Sequence, residues 1–238
     1  MIENNSHSPI DRIDSHFARH LGCCNENLRT GQIKVVESAP LQFKFAKGYP
    51  LPVFAMDYGE AIVYAVQPGM KSLLDGLQTF PRMLDDAMCD FVEHELQPEI
   101  GVVEWFRGVR LWLDDLHFID QEFGEVRDVS ETDDRAAAIR ARWGGPVFGQ
   151  IIDGKPASLA AVKLVGQDVW DISIETDSQW RGRGFAKSAT SAAAKYIFSQ
   201  NRLATWATDR DNTASLHTAR SVGFRPYALE HGCFLRNA

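Results

Sequence analysis

Cysteine is scarce in this chain, with four in 238 residues. Cys23, Cys24, Cys89 and Cys233 show no framework spacing, which excludes a disulfide-stapled scaffold and predicts free thiols in a reducing compartment. Long apolar runs are missing as well. The longest, such as Ala61 to Val66, fall far short of the ~20 residues that cross a bilayer. The opening MIENNSHSPIDRID has no apolar stretch, so neither a signal peptide nor a membrane partner is expected, and the expected location is the cytoplasm. Basic residues are not in excess. A net charge of −7 argues against nucleic acid as a partner. There is no repeat of fixed period and no low-complexity segment. No G-x-x-x-x-G-K-[ST] is present, which excludes a P-loop, and no G-x-G-x-x-G, which excludes the dinucleotide fingerprint. No Ser-His-Asp order suggests a hydrolase. The nearest approach to a metal set is His16, His20, Cys23 and Cys24. Vicinal cysteines suit one tetrahedral ion poorly and no second ligand pair is evident, so no metal is expected.

What is present is an ordinary globular composition, 45% hydrophobic and 24% charged. That suffices for one large domain or two small ones. The charge is unevenly spread. Residues 81–135 hold sixteen acidic against five basic side chains, and residues 178–225 hold eight basic against two acidic. Either these are solvated faces, or the basic segment is an anion site and the acidic one attracts cations.

Periodicity predicts a helix over Ser8 to Leu21, with Ile10, Ile13, Phe17 and Leu21 on one face. Strands are expected at Ile33 to Glu37, Gln42 to Ala46, Pro52 to Met56 and Ala61 to Val66. A helix capped by Thr79, with Pro81 in its first turn, should end at Pro98. A strand from Val102 to Leu113 comes next. The second half starts near Phe123 with a strand at Val126 to Val129. A helix from Ser130 to Trp143 is expected to open on a capping box of Ser130 and Asp133 and to stop at Gly144-Gly145. Strands Pro146 to Ile152 and Ala157 to Leu164 flank Asp153-Gly154, a hairpin signal. Then come a strand from Gln167 to Thr176, a helix from Gly184 to Gln200, a strand from Leu203 to Thr208 and a helix from Thr213 to Val222. Two last strands, Phe224 to Leu229 and Cys233 to Arg236, are expected around His231-Gly232.

The stretch QWRGRGFAK, Gln179 to Lys187, sits between a strand and a helix. The first turn of a helix offers unpaired N–H groups and partial positive charge. Glycines let an anion approach those amides without meeting a Cβ. Arg181 and Arg183 add fixed charge, so a pyrophosphate suits the elbow. Gln179, Gly182 and Gly184 fit Q/R-x-x-G-x-G/A. Downstream, Asp211-Asn212-Thr213-Ala214-Ser215 and Val222-Gly223-Phe224 form a second landmark. In this order and spacing the two resemble the GNAT superfamily of N-acetyltransferases, over roughly residues 123–238. Ile172-Ser173-Ile174, RGRGFA, Trp206 and N-x-x-S are further similar to a bacterial subgroup that includes zwittermycin self-resistance acetyltransferase.

The resemblance implies an α/β fold with a mixed sheet, the GNAT acyl-CoA N-acyltransferase fold, in residues 123–238. Residues 1–122 would be a mixed α/β N-terminal extension, with a degenerate copy of the same fold as one option. It implies acetyl-CoA as co-substrate and no metal. The amides of Arg181, Gly182, Arg183, Gly184, Phe185, Ala186 and Lys187 would hold the pyrophosphate. Ile174 and Thr176 would run beside the pantetheine arm, with Asn212 and Ser215 near its end.

An ammonium cannot attack a thioester, so the amine must lose a proton, and a carboxylate is the usual base. Asp171 and Glu175 lie two alternations apart on one strand and share a face if no bulge intervenes. Glu175 is the first choice and Asp171 the second. The tyrosine that many members place on the last helix corresponds here to Ala219, which cannot donate a proton. Water, Ser215, His217 or Tyr227 would have to substitute, or the thiolate leaves unassisted. Trp105, Phe106, Trp112, Phe118 and Phe123 are expected in the core rather than around an acceptor. The expected activity is acetyl transfer to a small, cationic primary amine. The alternatives are a protein amine as acceptor and a non-catalytic acyl-CoA-binding regulatory module. The sequence does not fix the oligomeric state, for which a homodimer is one option.

Overall fold

The computed structural model describes residues 8–29, 31–42, 50–101 and 103–235. The chain divides into two compact units. Unit 1 comprises residues 1–45, 49–108 and 228–238, and unit 2 comprises 46–48 and 109–227. The division differs from a cut at 122/123. Residues 109–122 group with the second half of the chain, and the last eleven residues group with the first half.

Unit 1 starts with α1 (Pro9–Leu21). Ser8 and Asp11 form the reciprocal capping box at its start. Strands β1 (Ile33–Glu37), β2 (Val53–Asp57) and β3 (Ile62–Val66) come next, β2 and β3 antiparallel and β1 parallel to β3. Both β2 and β3 are buried along their whole length, as the apolar runs Val53–Met56 and Ile62–Val66 require, and the buried Asp57 carboxylate accepts from Gly59 N and Leu84 N. Helix α2 (Asp86–Ile100) lays Met88, Cys89, Val92 and Leu96 on the core. Its cap is Asp85, whose carboxylate accepts from Met88 N, and not Thr79. Thr79 instead ends a run of 3₁₀ turns. Pro98 does not stop the helix but lies in its last turn, and Gly101 ends it.

Strand β4 (Val103–Leu113) passes from unit 1 into unit 2. There it is succeeded by β5 (Glu125–Asp128), α3 (Asp134–Trp143), β6 (Gly144–Ile152), β7 (Lys155–Lys163) and β8 (Val169–Thr176). Helix α4 (Phe185–Ser199), β9 (Leu203–Asp209), α5 (Thr213–Ser221) and the start of β10 (Arg225–Leu235) complete the unit. The sheet order within unit 2 is β4-β9-β8-β7-β6-β5. Neighbours from β5 to β8 are antiparallel, and β8 and β9 are parallel. The result is the expected mixed α/β architecture. Asp153 and Gly154 both take positive φ between β6 and β7, the backbone of a type I′ hairpin turn.

Several expectations are corrected. Ser130 does not cap α3. Asp133 does, accepting from Ala136 N. The Ser130 hydroxyl is instead bonded to Asp128 and accepts from Val147 N, because Ser130 still belongs to the loop leaving β5. His231-Gly232 does not interrupt the last strand, since β10 runs through both residues. Gln42 closes a 3₁₀ turn, Ala39–Gln42, and the rest of the strand expected there lies outside the described residues. So do Val102 and Arg236, the outer ends of two other expected strands.

The core of unit 2 is built between the sheet and α4. Ala189, Ala193, Ala194 and Ile197 of α4 pack with Ala160, Val162, Ile172 and Trp206 of the strands. Alanine serves twice here. It is the strongest helix former, and its small side chain lets the helix lie close on the sheet. The chain before β5 is fastened along α4. Gln121 N donates to Ser191 Oγ at 2.9 Å, Phe123 N to Ser188 Oγ at 3.0 Å, and Lys195 pairs with Asp120 and Glu122. Residues 188, 191 and 195 are spaced three and four apart and form one stripe on the helix. No helix among the described residues is long and apolar enough to cross a membrane.

Candidate functional site

A cavity of about 520 Å³ opens in unit 2 between the end of β8, the elbow after it and the first residues of α4 and α5. Ile174, Glu175 and Thr176 of β8 line it, with Arg181, Gly182, Gly184, Phe185, Ala186 and Lys187 of the elbow and α4, and Asn212 and Ser215 of α5. Eleven of the fourteen residues singled out in the sequence therefore meet at one place.

The strand supplies its part through a divergence. The parallel ladder of β8 with β9 pairs Val169 with Leu203, Trp170 with Ala204 and Asp171 with Thr205, and ends there. Both strands continue, β8 to Thr176 and β9 to Asp209. On its other side β8 stays paired with β7 without a register shift from Asp171 to Thr176. Residues 172–176 thus keep one ladder and leave their other edge unclaimed by β9. An unpaired strand edge is a row of N–H and C=O groups ready for an extended partner.

The elbow supplies the second part. After a 3₁₀ turn, Ser178–Trp180, Gly182 takes φ +76° and Gly184 φ +83°. That is the left-handed region in which a branched side chain is strained. A Cβ built on Gly182 would touch nothing within 4 Å, so the backbone there borders open space. Helices α1, α2, α3 and α5 each begin with a side-chain cap, whereas α4, with Gly184 at the N-cap, has none. The uncapped turn faces the cavity through Phe185, Ala186 and Lys187. Arg181 is tied to the strand by Nε to Thr176 O at 3.3 Å, and Lys187 Nζ lies 3.1 Å from His217 Nε2. Cations and open amides on one wall make an anion-binding surface.

Three of the selected residues lie elsewhere. Gln179 is exposed in the 3₁₀ turn and does not line the cavity. Arg183 stacks its guanidinium over Trp180 at 4.8 Å. Asp171 is buried, and its carboxylate accepts from Arg110 Nη1 at 3.0 Å, Lys163 Nζ at 3.2 Å and Thr205 Oγ1 at 3.0 Å. Glu175 is on the same strand face but lies beyond the last β9 rung. Its side chain is 62% exposed, with Arg135 Nη1 4.0 Å away. The two carboxylates differ because only the first still has β9 beside it.

On α5, Asn212 caps the helix by accepting from Ser215 N at 3.1 Å. Ala214, His217 and Thr218 also line the cavity, as does Trp180. Sequence reasoning left Ala214, Thr218 and Trp180 out of the site and named His217 only as a substitute for the missing tyrosine. Helical spacing could have supplied the residues on α5, since 214, 215, 217 and 218 lie on one face once Ser215 is placed there. Ala219 is fully buried.

In this α/β unit an unpaired strand edge and an uncapped, cationic helix start thus share one cavity. Residues 147–228 match the family described as GNAT acetyltransferase, 82 of the 238 residues. Over this stretch, about a third of its length, the chain is similar to the GNAT acetyltransferase family. Solved structures similar to the chain include a putative GNAT-family acetyltransferase from Novosphingobium aromaticivorans DSM 12444, at 18% identity and TM-score 0.49, covering 58% of this chain and 68% of that one. A GCN5-related N-acetyltransferase from Kribbella flavida is 18% identical at TM-score 0.47, covering 62% of this chain and 64% of that one. A GNAT-family acetyltransferase from Colwellia psychrerythraea is 15% identical at TM-score 0.46, covering 72% and 76%. No curated protein matches the chain.

Proposed function

We propose that the chain is an acetyl-CoA-dependent N-acetyltransferase acting on a small, cationic primary amine. The observation that carries this reading is the shared cavity, which joins the edge of β8 past the Asp171–Thr205 rung to the uncapped start of α4. The residues fit the carrier: an extended arm needs a strand edge, and a pyrophosphate needs open amides and cations. The carrier supplies an activated acyl thioester. The amides from Arg181 to Lys187, with the Arg181 and Lys187 side chains, hold its phosphates. The edge at Ile174 to Thr176 aligns the arm, and an amide near the strand's end stabilises the oxyanion. The Glu175 carboxylate removes the amine proton, directly or through water. Preference for a cationic acceptor rests on the sixteen-to-five acidic excess of residues 81–135. Residues 1–108 are proposed to be an extension outside the transferase core, since residues 109–122 group with the second unit.

Calorimetry with acetyl-CoA, then product detection across an amine panel, tests the reading. Binding and acetylated product are expected. Binding without product on any amine would favour the non-catalytic acyl-CoA module, and no binding would refute both.

A further inference from the structure

We propose that Arg135 of α3 is a positioning residue for the transfer: it fixes the end of β8 and aims the Glu175 carboxylate. This inference rests on the transferase reading above and on Glu175 as the group that removes the amine proton.

The need for such a residue comes from the sheet. Past the Asp171–Thr205 rung β8 has lost β9. Its last residues are paired on the β7 side, Glu175 with Leu159 and Thr176 with Ser158. A glutamate side chain has several rotatable bonds and settles in one place only where something holds it. The Glu175 side chain is 62% exposed, so packing does not hold it.

Arg135 lies in the first turn of α3. A cation there opposes the positive end of the helix dipole, so α3 itself gains nothing from the charge. The guanidinium is spent on the strand ends instead. Nη1 donates to Asp177 Oδ1 at 2.7 Å, one residue past β8, and Nη2 to Pro156 O at 3.3 Å on β7. Nη1 also stands 4.0 Å from Glu175 Oε1, and Nε 3.8 Å from Asp133 Oδ1, the cap of α3. One planar fork therefore joins the start of α3, the start of β7 and the end of β8, and it fixes direction as well as charge. Asp177 N continues the ladder to Ala157 O at 3.2 Å, so Asp177 and Glu175 still share a face. Among the described residues Arg135 is the only cation within 4.0 Å of the Glu175 carboxylate.

Arg135 is not among the residues lining the cavity, whereas Glu175 is. It acts through Glu175. In the transfer step the amine nitrogen forms the C–N bond, the C–S bond breaks with its electron pair on sulfur, and the amine proton goes to Glu175. Arg135 exchanges no proton and sets only where the carboxylate waits. The Arg135 and Asp177 side chains are 44% and 33% exposed, and ion pairs this open add little to stability. Loss of Arg135 should therefore appear in the rate rather than in the fold.

The test measures kcat, KM and melting temperature with acetyl-CoA and the best acceptor among spermidine, putrescine and ethanolamine. Arg135→Ala should lower kcat by roughly 10–100-fold, the effect of a slightly misplaced reacting group, with KM for acetyl-CoA and the melting temperature nearly unchanged. Arg135→Lys should recover part of the rate. The decisive variant is Arg135→Ala combined with Glu175→Gln. A residue that works through Glu175 has nothing left to aim once that carboxylate is gone, so the double variant should be no slower than Glu175→Gln alone. Losses that multiply would mean that Arg135 acts independently of Glu175, and would overturn the inference. A wild-type kcat in Arg135→Ala would do the same, and both results leave the transferase reading standing. If the alanine variant fails to fold, the same comparison made with Arg135→Lys, which keeps the charge without the fork, decides the question. No product from wild type with any of the three amines would overturn the small-amine transferase reading and this inference with it.

Discussion

The carboxylate of Asp171 accepts a hydrogen bond from Thr205 Oγ1 at 3.0 Å, and these two residues are the last paired rung between β8 and β9. Arg110 of β4 and Lys163 of β7 bind the same carboxylate. Four strands therefore converge on one buried anion at the point where two of them part. The cluster fixes where the separation begins, and with it how much of the β8 edge is left open to the cavity.

Removing that anion should cost stability first. Asp171→Asn leaves the Arg110 and Lys163 cations without their carboxylate, and breaking a buried pair this way costs about 3–5 kcal/mol. Chemical denaturation would report it as a lowered midpoint. A variant of wild-type stability would show that the cations find other partners.

Glu175→Gln should do the opposite. The side chain is mostly exposed, with Arg135 Nη1 4.0 Å away, so the melting temperature should barely change. The kcat should drop by roughly 10²–10⁴-fold. Full activity in the variant would move proton removal to water.

Gly184→Val should abolish tight acetyl-CoA binding, because a branched residue is strained at φ +83° and the first turn of α4 would have to shift. Lys187→Ala should weaken binding more mildly. Its loss should be largest at low salt and shrink as the Debye length falls from about 10 Å at 0.1 M toward about 3 Å at 1 M. Calorimetry of both variants at two salt concentrations is the check, and an affinity untouched by either substitution would remove the elbow from the binding site.

Unit 1 should lose stability in acid through Glu93. A hydrogen bond from His231 holds its carboxyl below the usual glutamate range, with burial opposing and Arg107 adding to the lowering. A carboxyl lowered on folding contributes stability above its unfolded pKa of about 4.3, and that stability disappears as pH falls through the lower folded value. Glu93→Gln should flatten the acid limb of urea midpoints measured between about pH 6 and pH 3. An identical limb in both proteins would assign it to other carboxyls.

The four thiols should react in a set order. Burial pushes Cys233 up to about 12, and burial together with Cys24 pushes Cys23 up to about 11. Cys24 is exposed, while Cys89 and Cys233 are buried. Because the thiolate is the nucleophile, alkylation of native protein should mark Cys24 first and leave Cys89 and Cys233 until unfolding. Mass spectrometry of timed samples would show it, and early labelling of Cys233 would contradict the packing of β10.

Local chemistry made much of this molecule legible. Alternation, the Asp153-Gly154 turn and the run of alanines in α4 act within a few residues, so strands and helices of unit 2 could be read directly. The elbow was legible for the same reason, because two glycines before a helix are a local backbone statement. Caps were read less well. Thr79, Ser130 and Pro98 carry the right chemistry at the wrong place, and only the path of the chain selects which neighbouring polar side chain reaches the free amides.

The identity and order of the elbow, the Asn212 helix and the strand with its two carboxylates were determined by the sequence alone. The choice between those carboxylates was not. Asp171 and Glu175 are equivalent in spacing and type, and their difference comes from β9, about thirty residues further on, which pairs with the first and has already turned away at the second. Such contacts join residues distant in the chain, and only the folded sheet brings them within a hydrogen bond of one another.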